Sequence, residues 1–283
     1  MDILFLLTVV PAYFVGSFFI NNDPGPEEPR SAISSAVGFG FIAIILALVF
    51  SFGFELLVSG DFLARISSVD NDTPLPLFID VLIFASIEEL VKFIPLSIFL
   101  LKKDFFNELT DGIIYFSIVG LTFGAIESLL YSLTSGSFGI VVALVRLALG
   151  LFFHGALTAV VGYYFAKSKV TKSSMFVVFL ILLAVSLLHA GYNYSLYNVQ
   201  DNPLFIFGAA GITLCVNIAM FILYFKAAKK DTELGLAGPQ FKAERQRVAD
   251  QRAAEVQRQY TQPPQATVVP QQPKPPDNQQ PGV

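Results

Sequence analysis

The chain has 283 residues, 54% of them apolar and 14% charged, with a mean hydropathy of +0.63. That composition excludes an ordinary soluble globular domain, which needs far more surface charge. A net charge of −4 argues against a nucleic-acid partner, and the single cysteine, Cys215, cannot form an intrachain disulfide.

Apolar runs long enough to cross about 30 Å of hydrocarbon are predicted at 3–20, 32–58, 77–101, 112–133, 138–166, 174–197 and 203–225. The fold class is therefore an all-α polytopic membrane helical bundle of about seven transmembrane helices. The first run lacks a basic leader and a small-x-small cleavage site, and reads as a retained helix. The third carries Glu88-Glu89-Leu90-Val91-Lys92. Glu88 and Lys92, four apart, are expected to share a helix face, with Glu89 about 100° away. Two adjacent carboxylates in a low dielectric cannot both ionise cheaply, which is the setting a general acid or base working near neutrality requires. The fourth run opens at Asp111 and carries Gly120, Gly124 and Ala125 ahead of Glu127. Those small residues permit close helix contact, and Arg146, early in the fifth run, is the structural partner expected for Glu127. The fifth run also holds His154. In the sixth, His189 and Asn193 lie four apart on one face, where both can donate hydrogen bonds to a developing oxyanion. Tyr131, Tyr194 and Tyr197 lie at helix ends and suit interfacial anchoring in a chain without Trp.

The basic residues orient the bundle. With the N-terminus outside, the cytoplasmic segments hold Arg30, Lys102, Lys103, Lys167, Lys169, Lys172, Lys226, Lys229 and Lys230, and the outside loops hold Arg65. That asymmetry places the C-terminus in the cytoplasm, and the expected setting is the bacterial plasma membrane. Residues 1–230 are expected to form the transmembrane bundle, with a catalytic core at about 77–200. Residues 231–283 are expected to form a cytoplasmic polar helix near 241–260, then a disordered Pro/Gln-rich tail.

Five charges at lipid depth, Glu88, Glu89, Lys92, Glu127 and Arg146, would cost on the order of 15 kcal/mol if each faced lipid alone. They are expected to turn inward with His154, His189 and Asn193 and to line one wet cavity. The outer half or the middle of the membrane is the expected depth.

These residues resemble the PrsW family of intramembrane proteases, which belongs with the CAAX-protease-like proteins and CAAX prenyl endopeptidases. The resemblance runs from about Ser86 to Asn193. It rests on Glu-Glu-x-x-Lys at 88–92, Asp-Gly-Ile-Ile-Tyr at 111–115, Gly-Leu-x-Phe-Gly-x-x-Glu at 120–127, His154, and His-x-Gly-x-Asn at 189–193. Two positions depart from the family pattern, Ser128 and Ala190. The resemblance implies a metal-independent, glutamate-type peptidase acting on a membrane-anchored protein, such as an anti-sigma factor. It implies that Glu88 deprotonates the attacking water and Glu127 orients it. His189 and Asn193 would then stabilise the oxyanion, while Glu89, Lys92 and His154 set protonation or position substrate. The residues alone leave open a proton-coupled transporter or channel using the same groups as a relay. They also leave open a metalloprotease with scattered Glu and His zinc ligands, although no His-Glu-x-x-His is present.

Overall fold

In lipid every backbone polar group must find its partner within the segment or a closed barrel, so apolar runs of this length fold as helices. The computed structural model describes residues 2–58 and 74–261. Its α-helices are α1 (Asp2–Asn21), α2 (Arg30–Val58), α3 (Pro74–Leu101), α4 (Leu109–Thr134), α5 (Gly139–Arg146), α6 (Phe152–Val170), α7 (Met175–Tyr197), α8 (Phe205–Glu233) and α9 (Pro239–Thr261). No strand occurs among the described residues. The expected tail at 262–283 and Arg65 lie outside them.

Among the described residues, six helical stretches can cross a membrane by length and composition: Ile3–Asn21, Arg30–Phe54, Leu109–Thr134, Gly136–Val170, Met175–Tyr197 and Phe205–Glu233. Helix α3 has the length, 28 residues, but it carries Asp80, Glu88, Glu89 and Lys92. Its apolar flank faces outward, with Ile94 and Ile98 exposed, while Glu89 and Lys92 are each 1% exposed. Its Glu89 and Lys92 are thus turned into the bundle. The run predicted at 138–166 departs from the single helix expected. A 3₁₀ turn, Gly136–Phe138, leads into α5, and a π turn, Leu147–Leu151, separates α5 from α6.

Helix α4 forms the centre, buried along most of its length. Glycine allows its close approach to α6: a Cβ added to Gly112 would sit 2.2 Å from the Gly162 carbonyl oxygen, and one on Gly120 would sit 2.3 Å from that of His154. That approach brings Glu127, seven residues further along α4, beside α6.

The end of the bundle rich in Lys and Arg is tied by polar contacts. Lys169 Nζ donates to the Leu100 and Lys103 carbonyls at 3.2 and 2.7 Å, and Tyr224 Oη donates to the Asn22 carbonyl at 2.6 Å. Tyr115 Oη donates to Glu28. Asp111 Oδ2 accepts from Asn107 N and Glu108 N at 2.7 and 2.9 Å, capping the start of α4. Burial, with Asp23, Asp231 and Glu28 nearby, pushes the Glu108 carboxyl up to about 9.

The boundary expected at Lys230 falls inside α8. Asp231, fully buried, accepts from Leu109 N at 2.9 Å, Thr110 N at 3.0 Å and Thr110 Oγ1 at 2.9 Å. A carboxylate there meets the positive end of α4. Gly238 N then donates to the Pro24 carbonyl at 3.2 Å. The first compact unit runs on to Lys242, and the second begins at Ala243. That second unit includes most of α9, a polar helix carrying exposed pairs such as Arg247–Glu244 at 2.7 Å. A chain ending at Gly238 is therefore expected to melt in detergent like the full protein. One ending at Lys230, or an Asp231→Ala variant, is expected to lose about 2–5 kcal/mol. Equal melting of all of them would contradict this.

Candidate active site

Three carboxylates, two cations and both histidines of the chain come together from α3, α4, α5, α6 and α7. Glu89 lies at the centre. Its Oε1 accepts from Lys92 Nζ at 2.6 Å and lies 2.7 Å from His189 Nδ1. Lys92 therefore pairs at i,i+3 with Glu89, not at i,i+4 with Glu88. Both spacings are open to a helix, and His189 on α7 draws Glu89 to the inner side. Lys92 Nζ also lies 3.2 Å from His154 Nδ1 and 4.6 Å from the centre of the Phe123 ring. An ammonium has only protons to give, so Nδ1 of His154 accepts and its Nε2–H faces Glu127 Oε2 at 2.8 Å. The same Oε2 accepts from Arg146 Nη2. The Glu127–Arg146 pairing expected from sequence is thus present, and His154 joins it. Arg146 Nε donates to Ser128 Oγ at 3.2 Å.

Glu88 differs from the other two acids. Its Oε2 is buried without a hydrogen bond, 3.7 Å from His189 Nε2. Glu89, Lys92, His154 and His189 are almost fully buried, whereas the side chains of Glu88, Glu127 and Arg146 retain 17%, 15% and 13% exposure. Those three therefore form the accessible rim of the group. The two imidazole rings lie 5.1 Å apart, centre to centre. One donor atom each from Glu88, His154 and His189 falls within 4.8 Å of the others, a set able to hold a metal ion.

Asn193 lies one turn beyond His189 on α7 and is partly exposed. No described hydrogen bond joins it to the acids or the histidines. The structure also brings in residues that sequence reasoning passed over. Tyr131, expected as a surface anchor, has its ring 4.3 Å from the Arg146 guanidinium carbon. Tyr192 stacks on Phe153 with ring centres 4.2 Å apart, and its buried hydroxyl has no hydrogen-bond partner. Its place between His189 and Asn193 was the available signal. Ser128, next to Glu127, supplies the second acceptor for Arg146.

The arrangement can do acid–base work. The buried Oε2 of Glu88 has no hydrogen bond, and it faces the Nε2 of His189, an imidazole fixed from behind by Glu89. A second carboxylate stands alongside, clamped by Arg146 and His154.

Residues 28–225 match the family model described as PrsW family intramembrane metalloprotease. Among curated proteins, the Protease PrsW of Geobacillus kaustophilus is 27% identical over 189 residues, covering 66% of this chain and 77% of that protein. The Protease PrsW of Bacillus subtilis is 29% identical over 190 residues, 66% of this chain and 80% of its own length. The Oceanobacillus iheyensis protein of the same name is 31% identical over 116 residues, covering 40% of this chain and 51% of its own. No solved structure gives a significant match.

Proposed function

The chain belongs to the PrsW family of intramembrane proteases and is a membrane-embedded peptidase; from that premise, we propose that it cuts a membrane-anchored protein with water activated by Glu88. The observation that carries this reading is the buried Glu88 Oε2, free of hydrogen bonds beside His189 Nε2. Water held between Glu88 and Glu127 gives a proton to Glu88 as its oxygen attacks the peptide carbonyl carbon. The C–N bond then breaks, and Glu88 passes that proton to the leaving nitrogen. Glu127, held by Arg146 and His154, orients the water. The oxyanion is met by Asn193 and His189. With Nδ1–H turned to Glu89, His189 donates from Nε2 only when the ring carries both protons. By family resemblance the substrate is a membrane-anchored protein, with anti-sigma factors as the class indicated. The basic residues at one end support an outside N-terminus and a cytoplasmic C-terminus in a bacterial plasma membrane.

The three donors within 4.8 Å favour one other reading. Glu88, His154 and His189 would hold a zinc ion, with Glu89 behind His189 as carboxylates stand behind metal-bound histidines. Such an ion would supply a more acidic bound water and polarise the carbonyl. The set fits in donor type and spacing, but both ring nitrogens of His154 already have partners, Lys92 and Glu127. We therefore favour the metal-independent route. Purified protein is expected to cut a single-span membrane protein equally with and without EDTA. Inhibition by EDTA that zinc reverses would replace this reading with the metal one.

A further inference from the structure

Arg146 and His154 are eight residues apart, yet both reach Glu127 Oε2. In an unbroken α-helix eight residues turn about 800°, leaving the two side chains about 80° apart. A π turn takes in one residue more without advancing the helix. The other seven turn about 700°, so the two side chains come within about 20° of one face. The π turn Leu147–Leu151 lies between them and makes the shared contact possible.

Widening a turn breaks the regular hydrogen-bond ladder, and its carbonyls need other donors. Thr213 of α8 provides one: its Oγ1 donates to the Leu149 carbonyl at 3.0 Å. Thr213 is 6% exposed on a helix that contributes no group to the site. Asn217 Nδ2 in turn donates to the Thr213 carbonyl at 2.9 Å. Within the turn, a Cβ on Gly150 would lie 3.4 Å from Tyr192 Oη and 3.7 Å from Arg146 Nη2, so the turn packs directly against the arginine.

We infer that Thr213 is a positioning residue, whose hydrogen bond to Leu149 holds the π turn that delivers Arg146 and His154 to Glu127. The consequence for rate rests on the peptidase reading; the consequence for geometry does not.

The two histidines of the chain, His154 and His189, both lie in the site. Ring-nitrogen NMR of ¹⁵N-histidine-labelled protein, purified on a histidine-free tag, therefore reports on the site alone. Thr213→Val is expected to shift the His154 resonances, while Thr213→Ser keeps them at wild-type positions. Cleavage of a single-span membrane protein should fall about tenfold or more in Thr213→Val, chiefly in kcat, and return in Thr213→Ser. Thr213→Ala, which removes the hydroxyl without adding bulk, must act like Thr213→Val and covers the case in which the latter fails to fold. Unchanged spectra in Thr213→Val or Thr213→Ala, or equal shifts in Thr213→Ser, would overturn the inference. His154 resonances that shift in Thr213→Val and Thr213→Ala, beside a wild type that cuts nothing, would instead support the positioning role and remove the peptidase reading.

Discussion

Glu88→Gln is expected to lower kcat by about 10²–10⁴-fold, the range for loss of a general base, with KM nearly unchanged and the fold retained. The three acids differ in what already holds them. Glu89 Oε1 is shared by Lys92 and His189, and Glu127 Oε2 by Arg146 and His154. Protonating either would weaken charge-assisted bonds that it already makes. Glu88 has a buried oxygen with no hydrogen bond and still keeps 17% of its side chain exposed. Glutamine has nearly the same shape and breaks no described bond there, but it cannot accept the proton. The loss should therefore fall on a step made in the transition state, which lowers kcat and kcat/KM together. Initial rates on a single-span substrate, with circular dichroism and melting on the same samples, check this.

Lys92→Met is expected to destabilise the bundle by about 3–5 kcal/mol, the penalty for stripping one partner from a buried ion pair. Lys92 and Glu89 have side chains 0% and 1% exposed, 2.6 Å apart. Without the ammonium, Glu89 keeps only His189, and His154 Nδ1 loses the donor at 3.2 Å. Replacing both members, Glu89→Gln with Lys92→Met, should recover much of the loss, because no uncompensated charge remains. Reversible unfolding in mixed detergent would show the single variant well below the wild type and the double variant between them. Equal stability of Lys92→Met and wild type would mean that water reaches Glu89.

The site residues were legible because charge at lipid depth is rare and costly, so Glu88, Glu89, Lys92, Glu127 and Arg146 stood out against apolar helices. The small residues before Glu127 likewise announced a close helix contact for α4, and the structure gives α6 as the partner. What escaped depended on long-range partners. Helix geometry permits Lys92 to pair with either glutamate, and only His189 on another helix decides it. The π turn has no local signature, since Leu147-Ala148-Leu149-Gly150-Leu151 reads equally well as α-helix. Its stabilising donor lies 64 residues away on α8. Asp231 fell just beyond the bundle expected at 1–230, because its partners are backbone N–H groups and a hydroxyl of α4 that carry no sequence mark. Helix α3 shows a related tension: the charges it brings to the cluster also set it apart by composition from the six candidate spans among the described residues.

The central claim is that Glu88 activates water inside this cluster. It is tested most directly by reconstituting the wild type and Glu88→Gln in liposomes with a single-span substrate in ¹⁸O-water and analysing the fragments by mass spectrometry. The expected result is wild-type fragments whose new C-terminal carboxylate carries oxygen from the labelled water, with almost no fragments from Glu88→Gln. Fragments released by Glu88→Gln at the wild-type rate would contradict it.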